Sequence, residues 1–144
     1  MFRAARSLLD SDADAEDAVS KAVLNAWKSS SRLRDAKKVR AWLIKIAVNS
    51  AYEIRRKNQK VVYFDEIPDV QLPDEHRYDD LWEAINALPE DRRTAVTLYY
   101  YDGLSVEEIA SILSLPEGTV KSRLSRARDQ LRQMLKEDSG HENR

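Results

Sequence analysis

The sequence predicts an all-α protein built from two small helical domains joined by an acidic linker. Three observations predict it. Apolar residues recur at intervals of three and four almost throughout, and the one strand-like segment, Val61-Val62-Tyr63-Phe64, is too short and isolated to build a sheet. A proline-bearing acidic stretch then interrupts the helical period in mid-chain. The 144 residues suit one domain or two small ones, and 42% hydrophobic residues supply packed cores. With 34% charged residues, those cores are thin and much helix surface faces water.

From Asp12 to Lys28, Ala15, Val19, Ala22, Val23, Ala26 and Trp27 draw one face of a helix. Asp12, Asp14, Glu16 and Asp17 crowd its first turns, where the helix dipole favours anions. A second helix is predicted from about residue 37 to 57, with Val39, Leu43, Ile46, Ala47, Ser50 and Ile54 inward. Residues 65–80 carry Pro68, Pro73 and seven acidic side chains without an apolar period, and read as linker. The predicted division is 1–60, a linker over 61–78, a second domain over 79–138 and a tail over 139–144.

Beyond the linker the helices are shorter. Leu81, Ile85 and Leu88 line one, and Pro89 opens the next, where a missing N–H costs nothing. That helix closes at Asp102-Gly103, with glycine to take the left-handed conformation. Ser105 and Glu108 form a capping box for a helix using Ile109, Ile112 and Leu113. It ends at Ser114-Leu115-Pro116, and a last helix is predicted over about 117–135.

The formal charge of −1 looks indifferent to nucleic acid, but it is segregated. Residues 32–60 hold ten basic and two acidic side chains, whereas residues 61–110 hold three and thirteen. The acidic segment facing two basic helices suggests a compact free state. Without cysteine there is no disulfide framework, thiolate metal site or cysteine nucleophile. Three glycines exclude Gly-rich phosphate loops, and no apolar run approaches the ~18 residues of a membrane-spanning helix. The start, Met1-Phe2-Arg3-Ala4-Ala5-Arg6, lacks the apolar core of a secretion signal, so a cytoplasmic location is expected. His76 in the linker and His141 in the tail have no partners for catalysis, and the carboxylates of 65–80 read as a solvated stretch. No enzyme activity, cofactor, metal or membrane insertion is expected.

Two constellations point to DNA. Two helices joined by a tight turn, the second basic, have the form of a helix-turn-helix. At 100° per residue Val120, Leu124, Ala127 and Leu131 share a narrow sector. Ser122, Ser125 and Arg126 lie opposite, flanked by Thr119 and Lys121. Such a helix seats on its apolar side and presents hydroxyls and cations to phosphates and base edges. A merely solvated amphipathic helix has the same spacing. On the second helix, Lys45, Asn49, Tyr52 and Arg56 follow at helical intervals, with Arg55, Lys57 and Lys60 extending the charge. Cations, an amide and an aromatic suit single-stranded DNA, although a plain charged face is the alternative. Trp42, Trp27 and Trp82 are expected in the core.

Leu88-Pro89-Glu90-Asp91-Arg92-Arg93, then Tyr101-Asp102-Gly103-Leu104-Ser105-Val106-Glu107-Glu108-Ile109-Ala110 and Gly118-Thr119-Val120-Lys121-Ser122-Arg123-Leu124-Ser125-Arg126-Ala127-Arg128, resemble region 4 of the bacterial sigma-70 family. The likeness is strongest to its extracytoplasmic-function (ECF) group. Asp14-Ala15-Glu16-Asp17-Ala18-Val19 and Ala41-Trp42-Leu43-Ile44-Lys45-Ile46-Ala47-Val48-Asn49 resemble region 2 of the same group. The resemblance implies a promoter-specificity subunit that binds core RNA polymerase and promoter DNA and is often held by an anti-sigma factor. It implies that region 4 reads the −35 duplex through residues 116–130, with Thr119, Lys121, Ser122, Ser125 and Arg126 as candidates. Region 2 would capture the melted −10 element through Lys45, Asn49, Tyr52, Arg55 and Arg56, Asn49 helping to hold a flipped base. Asp17, Ser20, Lys21 and Asn25 are candidates for docking on polymerase.

Two departures accompany it. The family usually has one more short helix before the equivalent of residues 2–6, so the first domain is expected to lack its first helix. It also commonly has Gln-Glu or Gln-Asp where Ser20-Lys21 stands, so a cation replaces an anion at the expected clamp contact. The rival readings are a stand-alone helix-turn-helix regulator and a degenerate sigma homologue that only binds partners.

Overall fold

The computed structural model describes residues 1–60 and 80–141, and every regular element among them is helical. The segment Val61-Val62-Tyr63-Phe64, the predicted linker, His76 and the acidic cluster of the linker lie outside the described residues, apart from the helical backbone of Asp80. In chain order the helices are α1 (Phe2–Arg6), α2 (Asp12–Lys28), α3 (Val39–Lys60), α4 (Asp80–Asn86), α5 (Glu90–Val96), α6 (Val106–Leu113) and α7 (Glu117–His141).

In the first half, α1 and α2 pack on α3. Ser11 caps α2 by accepting the Asp14 N–H at 3.2 Å, which leaves Asp12 and Asp14 in the first turn. Arg6 ties α1 to that turn through a 2.8 Å ion pair with Asp12. Two short 3₁₀ turns, Ser30–Arg32 and Ala36–Lys38, carry the chain into α3, so the long helix starts two residues later than its predicted start.

The buried stripes differ from the predicted ones. On α2 the buried residues are Ala15, Ala18 and Ala22, while Val23, Leu24 and Trp27 are exposed, Trp27 to 81%. The apolar arc of α2 is wider than the face its neighbours cover, and the small alanines are what permit close approach to α3. Trp42 and Trp82 are half-buried, so none of the three tryptophans is a fully buried core anchor. On α3, Ala47, Ser50 and Ile54 are buried as expected, but Val39 is exposed and Leu43 and Ile46 are half-buried. Ile44, Val48 and Ala51 are buried in addition. The cause is a second neighbour: α3 touches α1 and α2 from the first half and α6 from the second.

The second half is punctuated much as its residues predict. α5 runs into a π-helical turn, Thr97–Tyr101, then stops at Gly103 with φ +67°. The Leu104 N–H reaches the Leu98 carbonyl at 3.1 Å, which satisfies one of the carbonyls at the helix end. The Ser105–Glu108 capping box is present in both directions, each bond at 3.1 Å. α6 ends on Ser114, whose φ of 56° is left-handed without a glycine, and the turn delivers α7. α7 continues six residues past Leu135. Val120, Leu124, Ala127 and Leu131 are all buried against α4, α5 and α6, so each branched side chain contributes about 1.5–3 kcal/mol by leaving water.

The two halves share one continuous apolar core, from Ala4 and Leu8 through Ile44 and Val48 to Leu98 and Leu124. Polar contacts cross the same boundary. Arg93 Nε donates to the Ser7 carbonyl at 2.9 Å, and the Thr94 hydroxyl reaches the same oxygen at 3.5 Å. The Arg3 guanidinium lies 4.5 Å from the Tyr101 ring centroid and 5.5 Å from that of Trp82. Arg40 of α3 sits so close to Gly103 that a Cβ there would lie 3.2 Å from its Nη1.

Candidate nucleic-acid interface

The turn between α6 and α7 sets the outer face of α7. With Val120 and Leu124 seated in the core, Lys121, Ser122, Ser125 and Arg126 are exposed and Thr119 is half-buried at the helix start. The cations of α7 fall into two groups. Arg123 leans toward Asp91 at 3.9 Å, Arg128 donates to the Tyr100 hydroxyl at 3.3 Å, and Arg132 lies 3.6 Å from Asp129. Lys121 and Arg126, like Lys136 farther along the helix, have no acidic partner among the described residues. Two free cations interleaved with two hydroxyls form a ligand set for phosphates and base edges. Arg92 holds the helix from behind by donating to Gln130 at 2.5 Å.

The second surface lies on α3. Asn49, Tyr52, Arg55 and Arg56 line one open hollow of about 650 Å³, together with Asn25, Ile46, Ser50, Glu53 and Gln59. Lys45 is exposed but is not part of this lining. Tyr52 is half-buried, and burial, followed by the charge of Glu90, pushes its hydroxyl above the usual phenol range. Arg56 and Asn49 are exposed without a polar partner among the described residues. Arg55 is different: its Nη1 pairs with the Glu90 carboxylate of α5, across the boundary between the halves.

Sequence spacing did not single out Glu53 or Gln59, although Glu53 sits one helical turn after Asn49, and it placed Ser50 on the inward stripe, where it is buried. Glu90 was beyond reach, being 35 residues from the cation it holds. Asn25, grouped by sequence with Asp17, Ser20 and Lys21, lines the α3 hollow instead. The other three are exposed on α2, which also bears the exposed Val23, Leu24 and Trp27. Among the described residues no group of His, Asp or Glu could hold a metal ion, and no helix is long and apolar enough to cross a membrane.

Two family models match the chain: sigma-70 region 2 over residues 1–61 and sigma-70 region 4 over residues 78–131. The RNA polymerase sigma factor SigV of Bacillus subtilis is 33% identical over 142 residues, covering 95% of this chain and 86% of the relative. The ECF RNA polymerase sigma-E factor of Haemophilus influenzae is 32% identical, with 82% of this chain and 72% of the relative covered. Among solved structures, the sigma factor RpoE of Bartonella quintana, in complex with the anti-sigma factor NepR, matches 94% of this chain and 89% of its own. It does so at 31% identity and a TM-score of 0.73.

Proposed function

Because this chain belongs to the bacterial sigma-70 family, in its extracytoplasmic-function group, we propose that its two exposed polar surfaces divide promoter reading between them. The protein is a promoter-specificity subunit of RNA polymerase, and the family matches to both regions, in order, rank that above a stand-alone regulator or a degenerate homologue. One observation carries the division of labour. The exposed set on α7 is hydroxyls and cations on a convex helix, suited to duplex, whereas the α3 set lines a hollow that holds an amide, an aromatic ring and cations, suited to unstacked bases.

Thr119, Lys121, Ser122, Ser125 and Arg126 then read the −35 duplex. Asn49, Tyr52, Arg55 and Arg56 hold the melted −10 strand, Lys45 supports it from outside the hollow, and Asn25 joins them from α2. The docking surface for core polymerase is the exposed side of α2: Asp17, Ser20, Lys21, and the apolar Val23, Leu24 and Trp27. Large exposed apolar side chains on one helix mark an interaction site, and they would let docking tolerate the cation at Lys21. Region 2 is assigned to 1–60 and region 4 to 79–138, joined by 61–78; matches over 1–61 and 78–131 support that division. The structure solved with NepR supports an anti-sigma partner for this chain too. The polymerase supplies the chemistry, so this subunit needs no catalytic group or cofactor, and it works in the cytoplasm.

The test is footprinting of a reconstituted holoenzyme. The reading predicts permanganate-reactive, melted thymines near −10 together with −35 protection. It also predicts that Asn49→Ala removes the melting while Arg126→Ala removes the protection. Loss of both signals together in either variant contradicts the division.

A further inference from the structure

We propose that Glu53 selects the base held in the α3 hollow, and that the base it selects is cytosine. The inference rests on the −10 role proposed for that hollow. Glu53 lines the hollow, four residues after Asn49 and three before Arg56, so the three share one face of α3. It is exposed and has no ion-pair or hydrogen-bond partner among the described residues. The cation at Arg55 is already held by Glu90, and Arg56 has no acid within ion-pair distance among the described residues.

An unpaired carboxylate is a poor choice for a surface that meets a polyanion, because it repels phosphate. What it offers nucleic acid is acceptance of a hydrogen bond from an exocyclic amine. One helical turn on, Arg56 offers the opposite property, donors only. An acceptor followed by donors complements the Watson–Crick edge of cytosine, whose N4 amine gives and whose N3 and O2 accept. Adenine matches at N6 and N1 but lacks the third acceptor. Thymine and guanine present the reverse order, a carbonyl against the carboxylate and an N–H against the guanidinium. The ring of Tyr52, half-buried in the same wall, supplies a face for the selected base to stack on.

The experiment uses holoenzyme reconstituted from core polymerase and the full chain, transcribing a promoter pool with the melted element randomised. Transcripts are sequenced for wild type, Glu53→Ala and Glu53→Gln. The expected result is one position at which wild type favours cytosine over thymine by about tenfold or more. Glu53→Ala should collapse that ratio to below about threefold and leave the other positions and the −35 preference as they were. Glu53→Gln should raise adenine at the same position, since an amide pairs with adenine in both directions. An unchanged base profile in Glu53→Ala, or a wild-type profile favouring thymine or guanine at every constrained position, overturns the proposal. No discrete start sites with wild type is a different result, and it removes the −10 reading on which the proposal rests.

Discussion

Replacing Glu90 with Gln should free Arg55, a cation proposed to bind the −10 strand, without altering the other residues of that proposed surface. Arg55 lines the α3 hollow, yet its guanidinium is paired with Glu90 of α5. A phosphate that recruits Arg55 must first break that pair. The two side chains are 35% and 39% exposed, which places the pair among solvent-screened ones worth about 0.2–1 kcal/mol. At 1.4 kcal/mol per tenfold, Glu90→Gln should tighten binding of a single-stranded −10 oligonucleotide by about 1.4- to fivefold. Removing any acid also lowers general repulsion, so Glu107→Gln is the control: Glu107 is exposed in the first turn of α6 and has no ion pair among the described residues. The assay is fluorescence anisotropy of the full chain at low and high salt, in wild-type and Arg55→Ala backgrounds. The gain should exceed that of Glu107→Gln, vanish in Arg55→Ala and shrink with salt. An equal gain in the control, or one that survives without Arg55, refutes the reasoning.

Three further outcomes follow from particular side chains. Trp27→Ser should leave stability within about 0.5 kcal/mol, because the ring is 81% exposed, yet weaken capture of core polymerase; thermal melting and a polymerase pull-down check both, and undiminished capture removes α2 as the docking face. Arg126→Ala should cost about 1–3 kcal/mol on a cognate −35 duplex. An equal loss on a scrambled duplex, by the same titration, makes Arg126 a phosphate contact instead. Asp102→Asn should raise the melting temperature at pH 7. Burial pushes the Asp102 carboxyl above its ordinary value, against the pull of the N-terminus, Arg3 and Arg40, and its Oδ2 has no hydrogen-bond partner among the described residues. The folded state therefore binds the proton more tightly than the unfolded chain. Ionised Asp102 costs stability above the unfolded value, and the cost disappears in acid where both states are protonated. A gain that grows on acidification contradicts that sign.

The second half was the more legible in sequence, and the reason lies in its punctuation. Gly103, Ser105 and Glu108 act on their own backbone neighbourhood, so residue type alone places the helix ends. The seat of α7 was readable because Val120, Leu124, Ala127 and Leu131 form a narrow stripe with polar residues elsewhere. Ser114 was not, since a left-handed serine carries no residue-type signal. The first half misled where apolar residues outnumber the neighbours available to cover them. Periodicity put Trp27 inside with Ala22, but only the alanine side of α2 is covered, and the uncovered apolar side is what the proposed docking face would use. On α3 the spacing predicts one inward stripe, whereas the helix meets α1, α2 and α6, and Ile44, Val48 and Ala51 are buried as well. The segregation of charge foreshadowed contact between acidic and basic stretches. The partners, Glu90 with Arg55 and Asp91 with Arg123, depend on how the halves pack and could not be paired by counting.

One chain with the two proposed DNA-reading surfaces should direct polymerase to a two-part promoter. The most direct measurement adds the purified chain to core RNA polymerase, transcribes a random promoter library and sequences the RNA 5′ ends. Discrete starts that share a two-part upstream element are expected, present only when the chain is added. Polymerase binding without such starts, or starts that share a single upstream element, contradicts that expectation.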